Sequence, residues 1–439
     1  MQTLKNSKTI PKSDSPIEEM LETLQKENER LSSLLNVAQS LSNVMDIDEL
    51  LFKIMEVVRH QLNADRCTVF LVDSDRNELW SKVAHGLKNE IRFPIGKGIA
   101  GYVARTGETL NIKDAYSDSR FNPEVDKKTG YKTHNLLTMP MRNKQNEIIG
   151  VFQVLNKKSG PFNEEDEELL NAISSIAASA IENAQLYDEL HKSFVSFMET
   201  LSTTLDARDY ITSGHSRRVT LYAVQVARLM KLPKEEVELI RYSALLHDIG
   251  KLGVPEIVLF KNKKLTEEEY NIIRRHAALS RSILQKIHFQ RHLKDIPEIA
   301  ASHHEKVDGT GYPRGLKGEQ IPLGGKILAV CDVFDALTSR RQYKDRMDIV
   351  EVTEILDRET GTAFEPYVVY QFKNITLNVL IEILEFGHKG DFNPEDLSLL
   401  RNFTLKDLTR IGRHGAENEE EQRAWETFQF YYQRKYKGE

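Results

Sequence analysis

A long segment without proline or glycine crosses the middle of this chain, and it limits the possible folds more than any other feature of the sequence. From Ile173 to Leu201, apolar residues recur at near-heptad spacing, which predicts one uninterrupted helix. Short β-type runs precede the segment and helical patterns follow it. We therefore predict a multidomain protein in which a connecting helix at residues 187–201 joins an α+β domain to an all-α domain. Such a helix can couple a sensor to an effector, and it can also form a dimer seam.

Composition excludes several classes of protein. The 439 residues correspond to about three domains of roughly 150 residues each. Lys and Arg total 60 against 66 Asp and Glu, and this balance provides no basic field for nucleic acid. Cys67 and Cys331 are far apart in apolar contexts, which argues against a disulfide framework and fits a reducing, cytoplasmic location. No run approaches the roughly 18 uncharged apolar residues that a membrane span requires, so we predict no membrane insertion.

The N-terminal region carries a second heptad-like pattern. Residues 1–15 are polar, and we interpret them as a flexible tail. Residues 16–40 predict a helix that forms either a short coiled coil, and hence a homodimer, or an amphipathic surface that lies on its own domain. A polar Asn28 interrupts the apolar positions of that helix, which are Ile17, Leu21, Leu24, Leu31, Leu35 and Ala38.

Residues 41–186 alternate between strand and turn signals, with a helical segment at each end. The predicted helices are Ile47 to Leu62 and Glu164 to Leu190. The predicted strands are Cys67 to Val72, Glu78 to Val83, Thr109 to Ile112, Leu136 to Met141 and Ile148 to Leu155. This order predicts an α+β sensor domain that has an antiparallel sheet with flanking helices.

The C-terminal half is predicted to be helical throughout. We place one domain at residues 202–379 and a helical extension at residues 380–439. The extension contains an aromatic stripe at Trp425, Phe428 and Tyr432, which we interpret as a packing face without a functional role.

Histidines and aspartates at inward-facing positions are the strongest chemical signal in that half. Any one of them is more often a satisfied core group than a ligand, but their number favours a metal site. Imidazole and carboxylate are ligands of iron, manganese and zinc, and this set exceeds what one ion accepts. Two adjacent divalent ions would activate a water for phosphoryl displacement. The candidate ligands are His215, His247, Asp248, His276, His303, His304 and Asp332.

Two further features suggest contacts with a substrate. Lys251 follows Asp248 by three residues, so on a helix it would emerge beside the ligands and meet a phosphate. It could equally complement the helix dipole. Tyr312, between Gly311 and Pro313 in a turn-rich loop, offers a ring on which a nucleobase could stack.

The segment from Phe197 to Asn374 resembles the HD-GYP family, cyclic dinucleotide phosphodiesterases of the HD superfamily. The matching motifs are His247-Asp248-Ile249-Gly250-Lys251, His303-His304-Glu305 and Gly311-Tyr312-Pro313. The resemblance implies the seven residues above as metal ligands, with Asp248 and Lys251 in catalysis. It implies further substrate contacts by Gly311, Tyr312, Pro313, Arg341 and Lys344.

The family hydrolyses cyclic di-GMP to pGpG with iron or manganese, and we expect the same activity here. Some members carry a glutamate that binds a third metal, where this chain has Ile211, so we expect two metals. Two other functions stay open. One is a different HD hydrolase acting on another nucleotide, and the other is a catalytically silent cyclic di-GMP receptor that signals through partners.

The segment from Leu41 to Leu186 resembles the GAF domains that bind cyclic nucleotides. The resemblance rests on Gly98-Ile99-Ala100-Gly101, Phe121-Asn122, Thr129-Gly130-Tyr131 and an Asn156, Lys157, Phe162, Asp166 and Glu167 signature. It implies a buried cAMP or cGMP that regulates the phosphodiesterase. The implied ligand contacts are Thr68, His85, Ile99, Ala100, Asn122, Asp126, Thr129, Thr133 and Gln153. In some members a Phe-Asp pair recognises guanine. This chain has Ala84-His85 at that position, and the loss of the aspartate favours cAMP.

Overall fold

The computed structural model describes residues 16–81, 90–208, 214–261, 263–340, 345–386 and 392–434, except the side chains of residues 16–19, 22, 128–129 and 206–208. The chain divides into two compact units, Met1–Ser193 and Phe194–Glu439. Ala84, His85, Ile211, Arg341 and Lys344 lie outside the described residues, as do the predicted tail at residues 1–15, the end of the strand predicted from Glu78 to Val83 and the side chain of Thr129.

The first unit contains helices and strands in alternation. Its helices are α1 (Pro16–Ser42), α2 (Ile47–Gln61), α3 (Gly98–Thr106), α4 (Glu124–Thr129) and the first part of α5 (Glu164–Arg208). Its strands are β1 (Ala64–Asp73), β2 (Glu78–Ser81), β3 (Ile91–Pro94), β4 (Leu110–Ile112), β5 (Leu136–Arg142) and β6 (Ile148–Lys157).

The strands form one antiparallel sheet. Within the described residues the strand order is β3-β2-β1-β6-β5-β4, with neighbours antiparallel throughout. Alternation along β1 sends Cys67, Val69 and Leu71 into a core shared with α2 and α5, because successive side chains of a strand point to opposite faces. Thr68 and Phe70 therefore face the other side of the sheet. The predicted antiparallel sheet with flanking helices is confirmed.

One strand was not predicted from the sequence. β3 is four residues long and pairs only with β2 among the described strands. Arg92 within it forms ion pairs with Asp73 and Glu90 at 2.9 and 2.5 Å. Ile91 and Phe93 pack against the apolar cluster on one face of the sheet, but two alternating apolar residues before a proline give a weak strand signal in the sequence.

The predicted long helix is present. α5 runs for 45 residues from Glu164 to Arg208, and the boundary between the two units falls inside it, after Ser193. Near its beginning, Ile173, Ala177 and Ile181 are buried in the core of the first unit. Beyond the boundary, Met198 is buried in a cluster of the second unit.

The described elements of the second unit are helical. They are α6 (His215–Leu229), α7 (Lys234–Leu246), α8 (Glu256–Leu259), α9 (Glu267–Leu284), α10 (Ile296–Ala300), α11 (Leu323–Thr338), α12 (Ile349–Arg358), α13 (Pro366–Lys373), α14 (Leu377–Leu384), α15 (Pro394–Leu400), α16 (Leu405–His414) and α17 (Glu419–Gln433), with short 3₁₀ turns between some of them. The fold class predicted from the sequence, an α+β domain with an antiparallel sheet followed by an all-α domain, is confirmed.

The helical extension belongs to the core of this unit. Leu408 and Phe428 are fully buried in the same cluster as Phe334 of α11 and Val352 of α12. Tyr432 of α17 donates its hydroxyl hydrogen bond to the Met347 carbonyl at 2.7 Å. None of the described helices is both long enough and apolar enough to span a membrane.

Candidate metal centre

All seven candidate ligands converge at one place in the second unit. His215 is the first residue of α6, the His247-Asp248 pair directly follows α7, and His276 lies on α9. His303 and His304 occupy the turns after α10, and Asp332 lies on α11. The whole set is contained in three overlapping groups, and within each group the ligand atoms lie within 4.8 Å of one another. The groups are His276, His303 and His304; His215, His247 and Asp332; and His247, Asp248 and His303.

A tight contact between α9 and the turn after α7 sets the position of the His247-Asp248 pair. Gly250 lies so close to α9 that a Cβ there would stand 1.9 Å from the His276 carbonyl oxygen. The Ser280 hydroxyl accepts from the Gly250 N–H at 2.8 Å and donates to the His247 carbonyl at 2.7 Å. α7 therefore ends at Leu246, and Ile249–Gly253 form a 3₁₀ turn, where the sequence had suggested a continuing helix.

Asp248 faces the histidines with both of its carboxylate oxygens. Its Oδ1 lies 3.3 Å from His276 Nε2 and 3.9 Å from His303 Nε2. Its Oδ2 lies 3.4 Å from His247 Nε2 and 3.9 Å from His215 Nε2. A carboxylate placed in this way can bridge two ions.

Asp332 closes the other side of the cluster. Its Oδ1 lies 3.1 Å from His215 Nε2 and 4.0 Å from His247 Nε2. Its Oδ2 lies 3.9 Å from His304 Nδ1. The two adjacent histidines thus differ in their neighbours: His304 lies beside Asp332, whereas His303 lies beside Asp248.

Three of the histidines are oriented by the backbone that precedes them. The Nδ1 atoms of His247, His276 and His303 lie 2.6–2.7 Å from the carbonyl oxygens of Ala244, Ile273 and Ala300, each three residues earlier. An Nδ1–H that donates to such an oxygen leaves the Nε2 lone pair for a metal. His247 Nε2 is buried and has no hydrogen-bond partner among the described residues, as expected of a ligand atom that awaits an ion.

The charge states of three histidines in the cluster fit metal binding. Burial lowers the pKa of His303 and His276, and it lowers that of His304 to about 4. These imidazoles are therefore neutral at pH 7, as metal ligands must be. Burial opposes ionisation of Asp248, yet the Lys251 ammonium and neighbouring histidines hold its pKa well below the usual range. Lys251 Nζ lies 2.6 Å from Asp248 Oδ2, so this lysine reaches the cluster through the 3₁₀ turn.

Asp335 is a positioning residue that the sequence analysis missed as part of the site. It is fully buried, and its Oδ2 lies 2.8 Å from His215 Nδ1. Arg218 Nε donates to its Oδ1 at 2.7 Å, and the Ser339 hydroxyl donates to its Oδ2 at 2.8 Å. Its position one helical turn after Asp332 was the available signal.

The pKa values of His215 and Asp335 show how strongly these two side chains interact. Burial alone would lower the pKa of His215, but hydrogen bonds with Asp332 and Asp335 raise it to about 10. Burial alone would raise the pKa of Asp335, but His215 and Arg218 lower it to about 2. The Asp335 carboxylate is therefore ionised at neutral pH, and it holds the His215 ring with Nε2 toward Asp332.

We expect Asp335→Asn to weaken metal binding about ten- to a hundredfold, because carboxylates behind histidine ligands contribute that much in metalloproteins. Metal titration of the apoprotein, followed by elemental analysis, measures the change. The exposed Asp357, which pairs with Lys373 at 2.8 Å on the protein surface, provides the control Asp357→Asn. Equal metal affinity in Asp335→Asn and the wild type would contradict the assigned role.

The loop with Gly311, Tyr312 and Pro313 lies against the cluster. The Tyr312 ring centroid is 4.7 Å from that of His304, and its N–H donates to the His304 carbonyl at 3.1 Å. The Tyr312-Pro313 peptide is cis. A Cβ on Gly311 would stand 2.3 Å from the Lys306 nitrogen, so this position requires glycine. The buried Glu305 carboxylate accepts from the N–H groups of the loop residues Arg314 and Leu316.

The first unit contains a cavity of about 420 Å³ beside the sheet. It is lined by seven of the nine residues predicted for the GAF ligand: Thr68, Ile99, Ala100, Asn122, Asp126, Thr133 and Gln153. Three cations that line it, Arg66, Arg92 and Lys97, were not predicted from the sequence. Arg66 lies over the Tyr131 ring, 3.7 Å from its centroid, and Asp126 accepts from the Thr133 N–H at 2.7 Å.

The signature residues of the first unit form a network beside this cavity. Lys157 pairs with Asp166 at 2.5 Å, and Asn111 donates to Glu167 at 2.8 Å. The Asn156 side chain donates to the Tyr131 hydroxyl at 2.9 Å, and Tyr131 lines the cavity. These contacts connect the beginning of α5 and the end of β6 to the cavity wall.

Comparison with known proteins agrees with the fold of both units. Residues 199–368 match a family model described as an HD domain, and residues 46–181 match a GAF domain model. A 3'3'-cGAMP-specific phosphodiesterase 2 of Vibrio cholerae is 36% identical over 208 residues, which are 47% of this chain and 40% of that protein. A cyclic di-GMP phosphodiesterase of Thermotoga maritima is 37% identical over 188 residues, 43% of this chain and 51% of that one.

A relative from an animal matches a segment of similar length in this chain. The dual 3',5'-cyclic-AMP and -GMP phosphodiesterase 11A of Takifugu rubripes is 41% identical over 205 residues, 44% of this chain and 23% of that protein. The chain spans about half or less of the length of these relatives.

Proposed function

Because this chain is an HD-GYP protein with an N-terminal GAF domain, we propose that its second unit is a metal-dependent phosphodiesterase that hydrolyses a cyclic dinucleotide. The convergence of five histidines and two aspartates into overlapping ligand groups carries this proposal. Cyclic di-GMP, opened to pGpG, is the proposed substrate because the motifs of that family are present. Since a cGAMP-specific relative also matches, 3'3'-cGAMP is the second candidate.

We propose that the seven residues, with Asp248 at their centre, would hold two divalent ions, iron or manganese. When bound, such ions would supply Lewis acidity for attack of water on the phosphate. Lys251, which bonds to Asp248, orients that carboxylate and adds positive charge where the phosphate binds. Tyr312 packs beside His304 and offers the remainder of its ring to a base.

Anaerobic purification followed by turnover assays tests the proposal. The full chain, with its bound metal quantified, would be assayed with cyclic di-GMP and 3'3'-cGAMP in parallel. We expect release of a linear dinucleotide with about two metals per chain. No turnover of either dinucleotide by fully metallated protein would contradict the proposal. Binding without turnover would support the receptor alternative, and turnover of a different nucleotide would support the other HD hydrolase.

We also propose that a cyclic mononucleotide, cAMP in preference to cGMP, binds the cavity of the first unit and regulates the phosphodiesterase. The cavity volume of about 420 Å³ falls within the range of roughly 300–1,000 Å³ that is usual for small-molecule sites. α3 begins beside it at Gly98, and the first N–H groups of a helix have no acceptor within the helix. These groups and Arg66 would meet the cyclic phosphate.

Gln153→Leu is expected to weaken cAMP binding about tenfold, because the loss of one buried polar contact to a ligand costs on the order of 1.4 kcal/mol. Gln153 pairs across the sheet with Thr68 and Thr138, and leucine preserves its volume. Equilibrium binding of labelled cAMP to the full chain measures the effect. Gln145→Leu, at an exposed turn, is the matched control. Unchanged affinity in Gln153→Leu would remove this residue from the ligand site.

We propose a homodimer formed through α1 and α5. Both helices expose large apolar side chains in the described part of the chain: Leu21, Leu24, Leu31 and Leu35 on α1, and Leu186, Tyr187, Leu190 and Phe197 on α5. Both rows correspond to the heptad patterns of the sequence. Light scattering of the full chain tests the association, and a monomer at micromolar concentration would contradict it.

A further inference from the structure

Arg274 on α9 has an unusual environment for an arginine beside a metal cluster. Its guanidinium carbon lies 4.5 Å from the ring centroid of Tyr270 and 5.4 Å from that of Tyr312. Its Nε atom is buried without a hydrogen-bond partner among the described residues. Its Nη1 donates to Asn271 Oδ1 at 3.5 Å, which is at the limit for a hydrogen bond.

The absence of a carboxylate partner separates Arg274 from its neighbours. Arg281 and Arg314 pair with Glu298 at 2.7 and 2.6 Å, and Arg218 pairs with Asp335 at 2.7 Å. Within the described part of the chain, Arg274 forms no ion pair within 4.0 Å. An arginine without a carboxylate partner keeps its terminal N–H groups for a ligand that can accept from them.

Arg274 is also connected to the metal cluster through Tyr312. The Tyr312 ring contacts both Arg274 and His304, with centroid distances of 5.4 and 4.7 Å. The pKa of the Tyr312 hydroxyl is raised by burial, Tyr270 and Asp332, and Arg274 opposes that rise. The guanidinium and the cluster therefore act on the same ring.

Resting on the cyclic dinucleotide hydrolysis proposed above, we infer that Arg274 recognises a guanine base of the substrate. A guanidinium that lies against aromatic rings presents two parallel N–H groups to a neighbouring edge. Guanine offers the matching acceptors N7 and O6, whereas adenine replaces O6 with the N6 amino donor. A base that stacks on Tyr312 would bring its edge to Arg274.

A base is the better partner than a phosphate for two reasons. The proposed ions and Lys251 already provide positive charge for the phosphate at the cluster. In contrast, Arg274 contacts two aromatic rings, beside which a planar base packs well and a hydrated phosphate does not. We therefore expect Arg274 to discriminate against adenine.

Equilibrium binding tests this assignment without relying on turnover. Full-length metallated protein would be titrated with hydrolysis-resistant phosphorothioate analogues of cyclic di-GMP, 3'3'-cGAMP and cyclic di-AMP. Arg274→Gln is expected to weaken binding of the cyclic di-GMP analogue about ten- to a hundredfold, since a bidentate arginine–guanine pair is worth that factor. Binding of the cyclic di-AMP analogue should be unchanged. Arg274→Lys, which keeps the charge but loses the two parallel donors, should behave like Arg274→Gln.

The neighbouring Arg275 provides the matched control, because it is exposed on the same helix. Arg275→Gln should leave all three affinities unchanged, and both glutamine variants should keep wild-type metal content and circular dichroism. With hydrolysable cyclic di-GMP, Arg274→Gln should raise KM more than it lowers kcat.

The possible failures are distinguishable. If Arg274→Gln weakens binding of all three analogues equally, Arg274 contacts a phosphate and guanine recognition is overturned. Unchanged affinities would also overturn guanine recognition. Wild-type protein that binds the guanine analogues through Arg274 but hydrolyses none of the natural dinucleotides would contradict the proposed function and support the inference. Wild-type protein that binds none of the three would overturn both.

Discussion

The Asp248→Asn protein is expected to lose at least one metal per chain and to hydrolyse cyclic dinucleotides about a thousandfold more slowly. Asp248 is the one carboxylate among the described residues whose two oxygens lie within 4.0 Å of four of the candidate histidines. The amide of the variant lacks the negative charge that Asp248 places among these histidines. A loss of about 4 kcal/mol of transition-state stabilisation corresponds to that factor, at about 1.4 kcal/mol per tenfold.

Turnover and elemental analysis on the same preparation measure this effect. Asp295→Asn, at an exposed position before α10, controls for the general consequence of removing a carboxylate from this unit. A fully metallated Asp248→Asn protein with wild-type turnover would show that Asp248 does not hold the ions. Normal turnover in Asp295→Asn is required for the comparison.

The Gly250→Ala protein is expected to be destabilised by about 3 kcal/mol, the upper end of the usual range for overpacking, and to bind metal poorly. The added Cβ would stand 1.9 Å from the His276 carbonyl oxygen and 2.5 Å from the Ser280 nitrogen. Both are backbone atoms of α9, so the helix or the turn must move. Either movement separates His276 from Asp248 and breaks the Ser280 hydrogen bonds to that turn.

Chemical denaturation and metal content of the variant test this expectation. Gly253→Ala is the control, because its Cβ would meet only a terminal methyl of Leu279 at 2.8 Å, which can rotate away. We expect a much smaller destabilisation there. Similar unfolding free energies for Gly250→Ala and the wild type would show that the contact between α9 and the turn is looser than the structure indicates.

Much of the fold was predictable because it depends on local patterns. Apolar alternation located most of the strands, and their bounds differ from the structure by a few residues. The edge strand β3 was missed because it is only four residues long, and its two inward apolar side chains, Ile91 and Phe93, are too few to establish an alternation. The long α5 was predicted from heptad spacing and the absence of helix breakers, and it extends to Arg208.

The candidate ligands were recognisable for a different reason. Histidines and aspartates at inward-facing positions of helices are costly without a partner, so their accumulation indicates a shared ligand. The sequence could not indicate which carboxylate lies between which rings. It also suggested that His247 to Lys251 continue a helix, whereas the structure ends α7 at Leu246 because the turn is pressed against α9.

Residue type and spacing by themselves determined the two-domain organisation, the sheet with its flanking helices, and the set of candidate ligands, because each depends on periodicity or on the cost of burying a polar group. Only the tertiary structure decided how Asp335 holds His215, why Gly250 must be small, and which arginine stands beside Tyr312 without a carboxylate. These features are contacts between elements far apart in the chain. Their energies depend on distances of a few ångströms that no local pattern encodes.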